Sequence, residues 1–344
     1  IDLPPIVSVE LIQITDKTNI PFAPKAKKTI EKVKEKEKKL VSEQAPPKKV
    51  KKIKPDAVPL PDDKITKVEK IKDDIKFDIA DVREKDVIEN LVKDMDYIFN
   101  MAGQTSHMDS MTDPHTDLEI NARAQLSILE AIRQHNPKVK IIFASTRQIY
   151  GRPDNLPVDE SHPIRPVDVN GINKNAGEQY HKLYNDVYGI QTSILRLTNT
   201  YGPGMRVKDA RQTFVGIWIQ KILKGEDFEV WGGDQLRDFN YVDDVVDAFL
   251  KVAINKNANG EIFNLGSDEV ITLNELADAL IDVHGSGNYK IRNFPEDRKK
   301  IDIGDYYSDY SKINELLEWH PSVNIKEGLS KTLDYYRQHG EHYL

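Results

Sequence analysis

No glycine occurs before Gly103, and residues 16–72 are dominated by Lys, Glu and Pro. This limits the fold more than any other feature of the chain. A glycine-free stretch lacks the residue that most readily supplies left-handed turns and close backbone approaches. The runs KAKKTIEKVKEKEKKL at 25–40 and PPKKVKKIKPDAVPLPDDK at 46–64 also hold too little apolar surface to offset the entropy of ordering them. Residues 1–72 therefore read as a largely disordered linker or foreign segment, with one short strand over 7–14 and one transient, solvated helix over 28–41. A flexible tail and a basic anchor for acidic partners are both compatible with that composition.

Composition then bounds the function classes. With 344 residues and 39% hydrophobic content, the chain can bury one large core or two smaller ones. A net charge of -7 and a pI of about 5.8 give no general basic field, so nucleic acid is not expected as a partner. The chain has no cysteine, which excludes disulfides and thiolate metal sites, and no other metal site is expected. No apolar run approaches the ~20 residues of a membrane helix, and no signal peptide is visible, so a cytoplasmic location is expected. The first residue is Ile1, as in a processed product or a fragment, and a targeting segment could have preceded it.

From about residue 75 the pattern changes. KFDIADVRE at 76–84 reads as a strand ending in Asp81, and KDVIENLVKD at 85–94 as an amphipathic helix built on Val87, Ile88, Leu91 and Val92. DYIFNMAGQ at 96–104 reads as a buried strand turning at Gly103, followed by a long helix over 113–135 and a strand over 139–145. A helix over 170–188 carries Lys174, and GIQTSILRLTNTYGPG at 189–204 gives a further strand and a glycine-proline turn. Helices over 211–224, 243–255, 272–284 and 326–338 then mix with strands over 228–231 and 261–265. Strands alternating with helices predict parallel βαβ units. The expected fold class is α/β: an incomplete Rossmann-like parallel sheet with helices on both faces over 73–205, and a smaller mixed α/β substrate lobe over 206–344, interleaved with the core sheet. Ser145, Thr146 and Lys174 then come toward the carboxyl end of the sheet, where open α/β folds bind ligands.

NMAGQ at 100–104, FASTRQIYG at 143–151, LRLTNTYGPG at 195–204, VWGGDQLRDFNYVDD at 230–244 and DYSKINELLEWHP at 309–321 carry a resemblance in the right order. From about residue 75 to its end, the chain resembles the extended short-chain dehydrogenase/reductase family. These are NAD-dependent nucleotide-sugar epimerases and dehydratases, and the likeness is closest to the UDP-glucose 4-epimerase type. Residues 1–72 resemble instead, in composition, the Pro/Lys-rich spacer of TonB-type energy transducers, which does not belong in front of such an enzyme. The family resemblance implies NAD as cofactor, a nucleoside-diphosphate sugar as substrate, and a homodimer packed through the helices over 113–135 and 170–188.

It also implies roles for single residues. Asp81 and Val82 fall by the adenine, and Ala102, Gly103, Gln104 and Ser145 among the cofactor-binding positions, the first two allowing close backbone approach on the ribose side. Thr146 matches the hydroxyl that hydrogen-bonds the reacting sugar oxygen. Lys174 matches the lysine that binds the nicotinamide ribose and, through its charge, lowers the pKa of the acid/base group. Asn199 and Arg237 match groups on the substrate diphosphate, where a guanidinium fork suits phosphate oxygens, and Arg298 matches a second diphosphate arginine. Trp231 and Phe239 belong either near the nucleotide base or in the core.

Departures from the family narrow the reading. Its 4,6-dehydratases carry an Asp-Glu pair after the hydroxyl residue, and its decarboxylases a Glu at the second of those positions. Here the two positions hold Arg147 and Gln148, neither of them a carboxylate. Epimerisation is left as the family activity. The acid/base tyrosine four residues before the lysine is replaced by Asn170, which cannot cycle between protonated and ionised forms near neutral pH. Lys and Pro also occupy the place of the glycine-rich strand-turn-helix that holds a dinucleotide's pyrophosphate. Impaired NAD binding and turnover are expected, with an internal strand edge and apolar helix contacts left exposed. A fusion, a truncated paralogue and a faulty gene assembly each account for the mismatch. Three functions stay open: an NAD-dependent epimerase by descent, transferring hydride at a sugar carbon; a non-catalytic nucleotide-sugar binding or scaffold protein; and a cell-envelope spacer carrying a degraded domain.

Overall fold

The computed structural model describes residues 80–207 and 214–343. The features expected over 7–14 and 28–41, the disorder expected of the linker, and the first part of the strand expected over 76–84 lie outside those residues. At residues 80–84 the chain is loop and turn rather than the end of a strand, with Val82 buried.

Helix α1 (Lys85–Leu91) leads into β1 (Tyr97–Asn100), followed by two short helices, α2 (His107–Thr112) and α3 (Pro114–Leu118). Their starts are set locally. The side chains of Ser106 and Asp113 accept from the amides of Asp109 and Thr116, and Pro114 sits in the first turn, where its missing N–H costs nothing. A π-turn over Glu119–Arg123 then joins α3 to α4 (Ala124–His135). The helix expected over 113–135 is therefore interrupted by one wide turn. Such turns commonly re-aim a side chain at a functional site.

Strand β2 (Lys140–Thr146) is buried from Lys140 through Ser145, the unbroken burial of a parallel strand covered on both faces. Helix α5 (Val169–Tyr188) follows, capped by Asp168 and ended by Gly189 at φ 67°, and leads to β3 (Gln191–Leu197). Beyond it come β4 (Asn199–Tyr201), α6 (Phe214–Leu223), β5 (Phe228–Trp231), β6 (Leu236–Tyr241) and α7 (Val242–Ile254). The chain continues through β7 (Ile262–Asn264), β8 (Val270–Thr272), α8 (Leu273–His284), β9 (Tyr289–Arg292), α9 (Glu296–Lys299), α10 (Ser311–Leu317) and α11 (Ile325–Tyr343).

The main sheet is parallel throughout, in the order β1-β2-β3-β7, so a strand from far along the chain completes it. Ile142, Leu195 and Phe263 of this sheet pack on Val245, Phe249 and Val252 of α7 and on Trp319. A second core gathers Trp218, Phe228, Leu276, Leu280 and Tyr336 beside the small sheets β4-β6-β8 and β5-β9. Among the described residues β1 pairs only with β2, and Tyr97 and Met101 along it are exposed. The sheet thus stops, within the described residues, at a strand of a type that is normally flanked on both sides. The parallel sheet with its packed helices is the α/β class that the sequence predicts.

Candidate active site

The register Ser145 to Arg196 and Thr146 to Leu197 brings β2 and β3 to a common end, and the first turns of α5 pack across it. Lys174, 5% exposed, donates from Nζ to the Ala144 carbonyl at 2.9 Å and lies 4.8 Å from the Phe143 ring centre. Burial pulls its pKa down to about 8, against the opposing charges of Asp117 and Glu178. Gly103 comes so close that a Cβ there would stand 2.9 Å from that Nζ and 3.0 Å from Asn121 Oδ1. Close approach, rather than a positive φ, favours glycine at this position, since a Cβ would displace both side-chain ends.

Asn170 lies one turn before Lys174, and its Nδ2 donates to the Gln104 carbonyl at 2.7 Å and to Asp117 Oδ2 at 3.2 Å. Asn173 holds the other carboxylate oxygen of Asp117 at 2.8 Å. Asn121, set by the π-turn, donates to the Gln104 carbonyl at 2.9 Å and accepts from the Gln104 amide at 3.2 Å. The loop after β1, with Ala102, Gly103 and Gln104 half-buried, is thereby clamped to the head of α5.

Ser145 and Thr146 turn in different directions. The Ser145 hydroxyl donates inward to Glu178, which forms an enclosed ion pair with Arg196 at 2.7 Å. Arg196 donates on to Tyr150 Oη at 2.6 Å, and Tyr150 to Asn264 Oδ1 at 2.7 Å. Thr146 is half-buried and accepts from the Gln148 amide at 3.2 Å, capping the single 3-10 turn Arg147–Tyr150. Gln148 donates to Asp168 Oδ2 at 2.9 Å. His107 Nδ1 stands 2.9 Å from that same oxygen, close enough for an ion pair but without hydrogen-bond alignment.

A second group forms around Asp238. Arg147 donates to Thr198 Oγ1 at 3.2 Å, Thr198 donates to the Asp238 carboxylate, and Asn199 Nδ2 donates to the Asp238 carbonyl at 2.9 Å. Arg237 is buried, with Nη1 donating to the carbonyls of Leu236, at 2.8 Å, and Gly304, and with Nη2 3.5 Å from Asp302 Oδ1. Burial and the neighbouring Arg147 charge pull its pKa down to about 10. Arg298 stands apart from both groups and stacks on Trp231 at 4.5 Å. Phe239 is a core residue, packed edge-on against Tyr201 and Phe214.

Some of the expected residues fall into two clusters, and Ser145, Thr146 and Arg298 lie outside both. Gly103, Gln104, Asn170 and Lys174 surround Asp117 and Asn121, while Asn199, Arg237 and Arg147 surround Asp238. Asp117, Asn121, His107 and Glu178 were not foreseen from the sequence. Asp81 and Val82 lie on the loop before α1. Among the described residues no cluster could hold a metal ion, and no helix is long and apolar enough to cross a membrane.

A parallel sheet with a buried helix lysine, a strand-end hydroxyl and buried arginines beyond its carboxyl ends defines the class of Rossmann-type sugar-nucleotide proteins. The chain belongs to the NAD dependent epimerase/dehydratase family, whose profile matches residues 48–266. The matched span begins inside the Lys/Pro-rich segment. A Methanocaldococcus jannaschii protein provisionally named a UDP-glucose 4-epimerase is 37% identical over 76% of this chain and 83% of its own length. The Thermotoga maritima UDP-glucose 4-epimerase, solved with UDP-glucose, superposes with a TM-score of 0.71 at 30% identity, covering 79% of this chain and 87% of that one. The Bacillus cereus UDP-glucuronic acid 4-epimerase, in complex with UDP-glucuronic acid and NAD, gives 0.69 at 25% identity over 80% and 86%.

NAD use is a property of this family, and the residues of this chain fit one half of a dinucleotide. Gly103 offers close backbone approach beside the buried Lys174 ammonium, as a ribose requires. Among the described residues none before Gly103 is a glycine that could form the turn bringing backbone amides onto phosphate.

Proposed function

We propose that the chain is a nucleotide-sugar epimerase by descent, with hydride transfer at a sugar carbon as its family reaction and with turnover impaired. The observation that carries this reading is the head of α5, where Lys174 is buried against Ala144 and Gly103 while Asn170 occupies the acid/base position. In it Thr146 orients the reacting sugar hydroxyl, and Lys174 supplies positive charge beside the nicotinamide ribose. Arg237 and Asn199 take the diphosphate, with Arg298 a second arginine on the same group. Bound NAD would supply reversible hydride chemistry, with Lys174 and the backbone at Gly103 holding its ribose. Asp81, Val82, Ala102, Gly103, Gln104 and Ser145 belong to the cofactor side. The protein works as a cytoplasmic homodimer packed through α3, α4 and α5.

A second reading, a nucleotide-sugar binding or scaffold protein without turnover, is favoured by Asn170 itself, which has no proton to exchange near neutral pH. One experiment separates the two. The purified chain is titrated with UDP-glucose by calorimetry, incubated with it and analysed for the epimer, then denatured and tested for released NAD(H) by mass spectrometry. Slow epimer formation with released NAD(H) supports the first reading, and binding without epimer the second. Absence of binding removes both.

A further inference from the structure

We infer that Asn170 is an oriented hydrogen-bond acceptor: the Gln104 carbonyl and Asp117 hold its two amide hydrogens, so that Oδ1 faces the ligand and accepts a hydroxyl hydrogen of the hexose on a nucleoside diphosphate. The inference rests on the reading that this site takes a nucleotide sugar.

A carboxamide has two N–H hydrogens on one side and an acceptor oxygen on the other. Both groups that meet Nδ2, at 2.7 Å and 3.2 Å, are oxygens acting as acceptors, one a backbone carbonyl and the other a carboxylate. A flipped amide would press Oδ1 against both of them, so the orientation follows from the partners. Asp117 cannot turn away to relieve it, being 0% exposed and held through its other oxygen by Asn173 at 2.8 Å. Gln104 is likewise fixed, its amide and carbonyl both bound by Asn121.

No described residue donates to Asn170 Oδ1. Nor does that atom appear among the buried polar atoms left without a partner, a set that includes Gln104 Oε1 close by. Oδ1 is therefore not fully enclosed and keeps part of the 2% exposure that the residue retains. A tyrosine hydroxyl in this place both donates and accepts, and it ionises. The amide oxygen only accepts, so this position recognises a sugar hydroxyl and leaves its proton in place. Asp117, which touches no ligand, acts as a positioning residue.

Calorimetry with two probes, UDP and UDP-glucose, tests the assignment on the full chain. The wild type binds UDP-glucose more tightly than UDP, and Asn170→Ala lowers that ratio about five- to tenfold while leaving UDP affinity unchanged, the size expected for one lost hydrogen bond. Asp117→Asn lowers the ratio as well, because an amide at 117 lets the Asn170 carboxamide turn over. Unchanged UDP affinity shows in each case that the chain is folded. Should the alanine chain fail to fold, Asn170→Ser gives the same reading, since its side chain stays polar but its hydroxyl is one bond too short to replace Oδ1. A ratio unchanged in these variants overturns the inference, and so does a parallel loss of both affinities, which would mark a structural role. If the wild type binds neither probe, the nucleotide-sugar reading fails and this inference fails with it.

Discussion

His181 sits on α5 with Nδ1 on the Gly177 carbonyl at 2.8 Å and its ring stacked 4.6 Å from that of Phe143. Burial, with the nearby Lys174 charge acting in the same direction, lowers its pKa to about 4 from the usual 6.5. Between those values the unfolded chain binds the proton and the folded chain does not, so stability rises with pH from about 4 to 6.5 and is lost on acidification through the same window. The shift corresponds to about 3 kcal/mol. Urea denaturation at pH 7.5 and pH 4 should show the wild type losing roughly that much more than His181→Phe; parallel losses would contradict it. Lys174, lowered to about 8 from 10.5, obeys the same sign in an alkaline window. Stability should climb between those values in the wild type and stay flatter in Lys174→Met, read by thermal melts at pH 7.5 and 10. Both residues lie on one helix, yet only Lys174 was legible as functional, because only it matches a position of the family that the chain resembles. Asp117 gave no signal. Its partners Asn170 and Asn173 stand 53 and 56 positions away, and nothing local marks a carboxylate that will be buried between two amides.

At the scale of elements, apolar periodicity and the alternation of strands with helices foretold most of the helices and strands, with ends within a few residues. The π-turn over Glu119–Arg123, from which Asn121 reaches the Gln104 backbone, was not visible, since EINAR is ordinary helical sequence. The strand expected over 76–84 is tested only at its end: residues 80–84 are loop and turn with Val82 buried, and apolar alternation alone does not fix where a strand stops. Helix α5 is held to β3 by the Thr192 hydroxyl on the His181 carbonyl, at 3.0 Å, and by the ion pair Glu178–Arg196, with side chains 0% and 2% exposed. Breaking a buried pair leaves one desolvated charge, whereas removing both leaves none. Glu178→Ala should therefore cost about 3–5 kcal/mol, and Glu178→Met combined with Arg196→Met much less than the two single changes added. A double-mutant cycle by urea denaturation measures the difference. Additive costs would mean that the pair does not act as a unit.

At the scale of the whole molecule, the question is what covers the outer face of α5. Ile172, Leu183, Val187 and Tyr188 are 54%, 51%, 61% and 52% exposed, and Leu118 at the end of α3 is also exposed. Leu183 and Val187 are one turn apart and Ile172 lies about three turns before Leu183, so these three share a face of the helix. Tyr184 ties that helix to α4, donating to Glu130 at 2.5 Å, while Arg133 takes both oxygens of Glu130 at 2.9 Å and 2.8 Å. Two helices locked side by side with an apolar stripe outward suit a two-fold interface, in which each residue is presented twice and a four-helix bundle closes. A substitution on the stripe then acts in both copies at once. Leu183→Asp with Val187→Asp places four like charges in the bundle and should convert a dimer into a monomer in sedimentation equilibrium at micromolar concentration. Both positions are exposed in the single chain, so its thermal midpoint measured as a monomer and its UDP affinity should stay nearly constant. A wild type that sediments as a monomer, or a double variant that stays dimeric, would place the interface elsewhere.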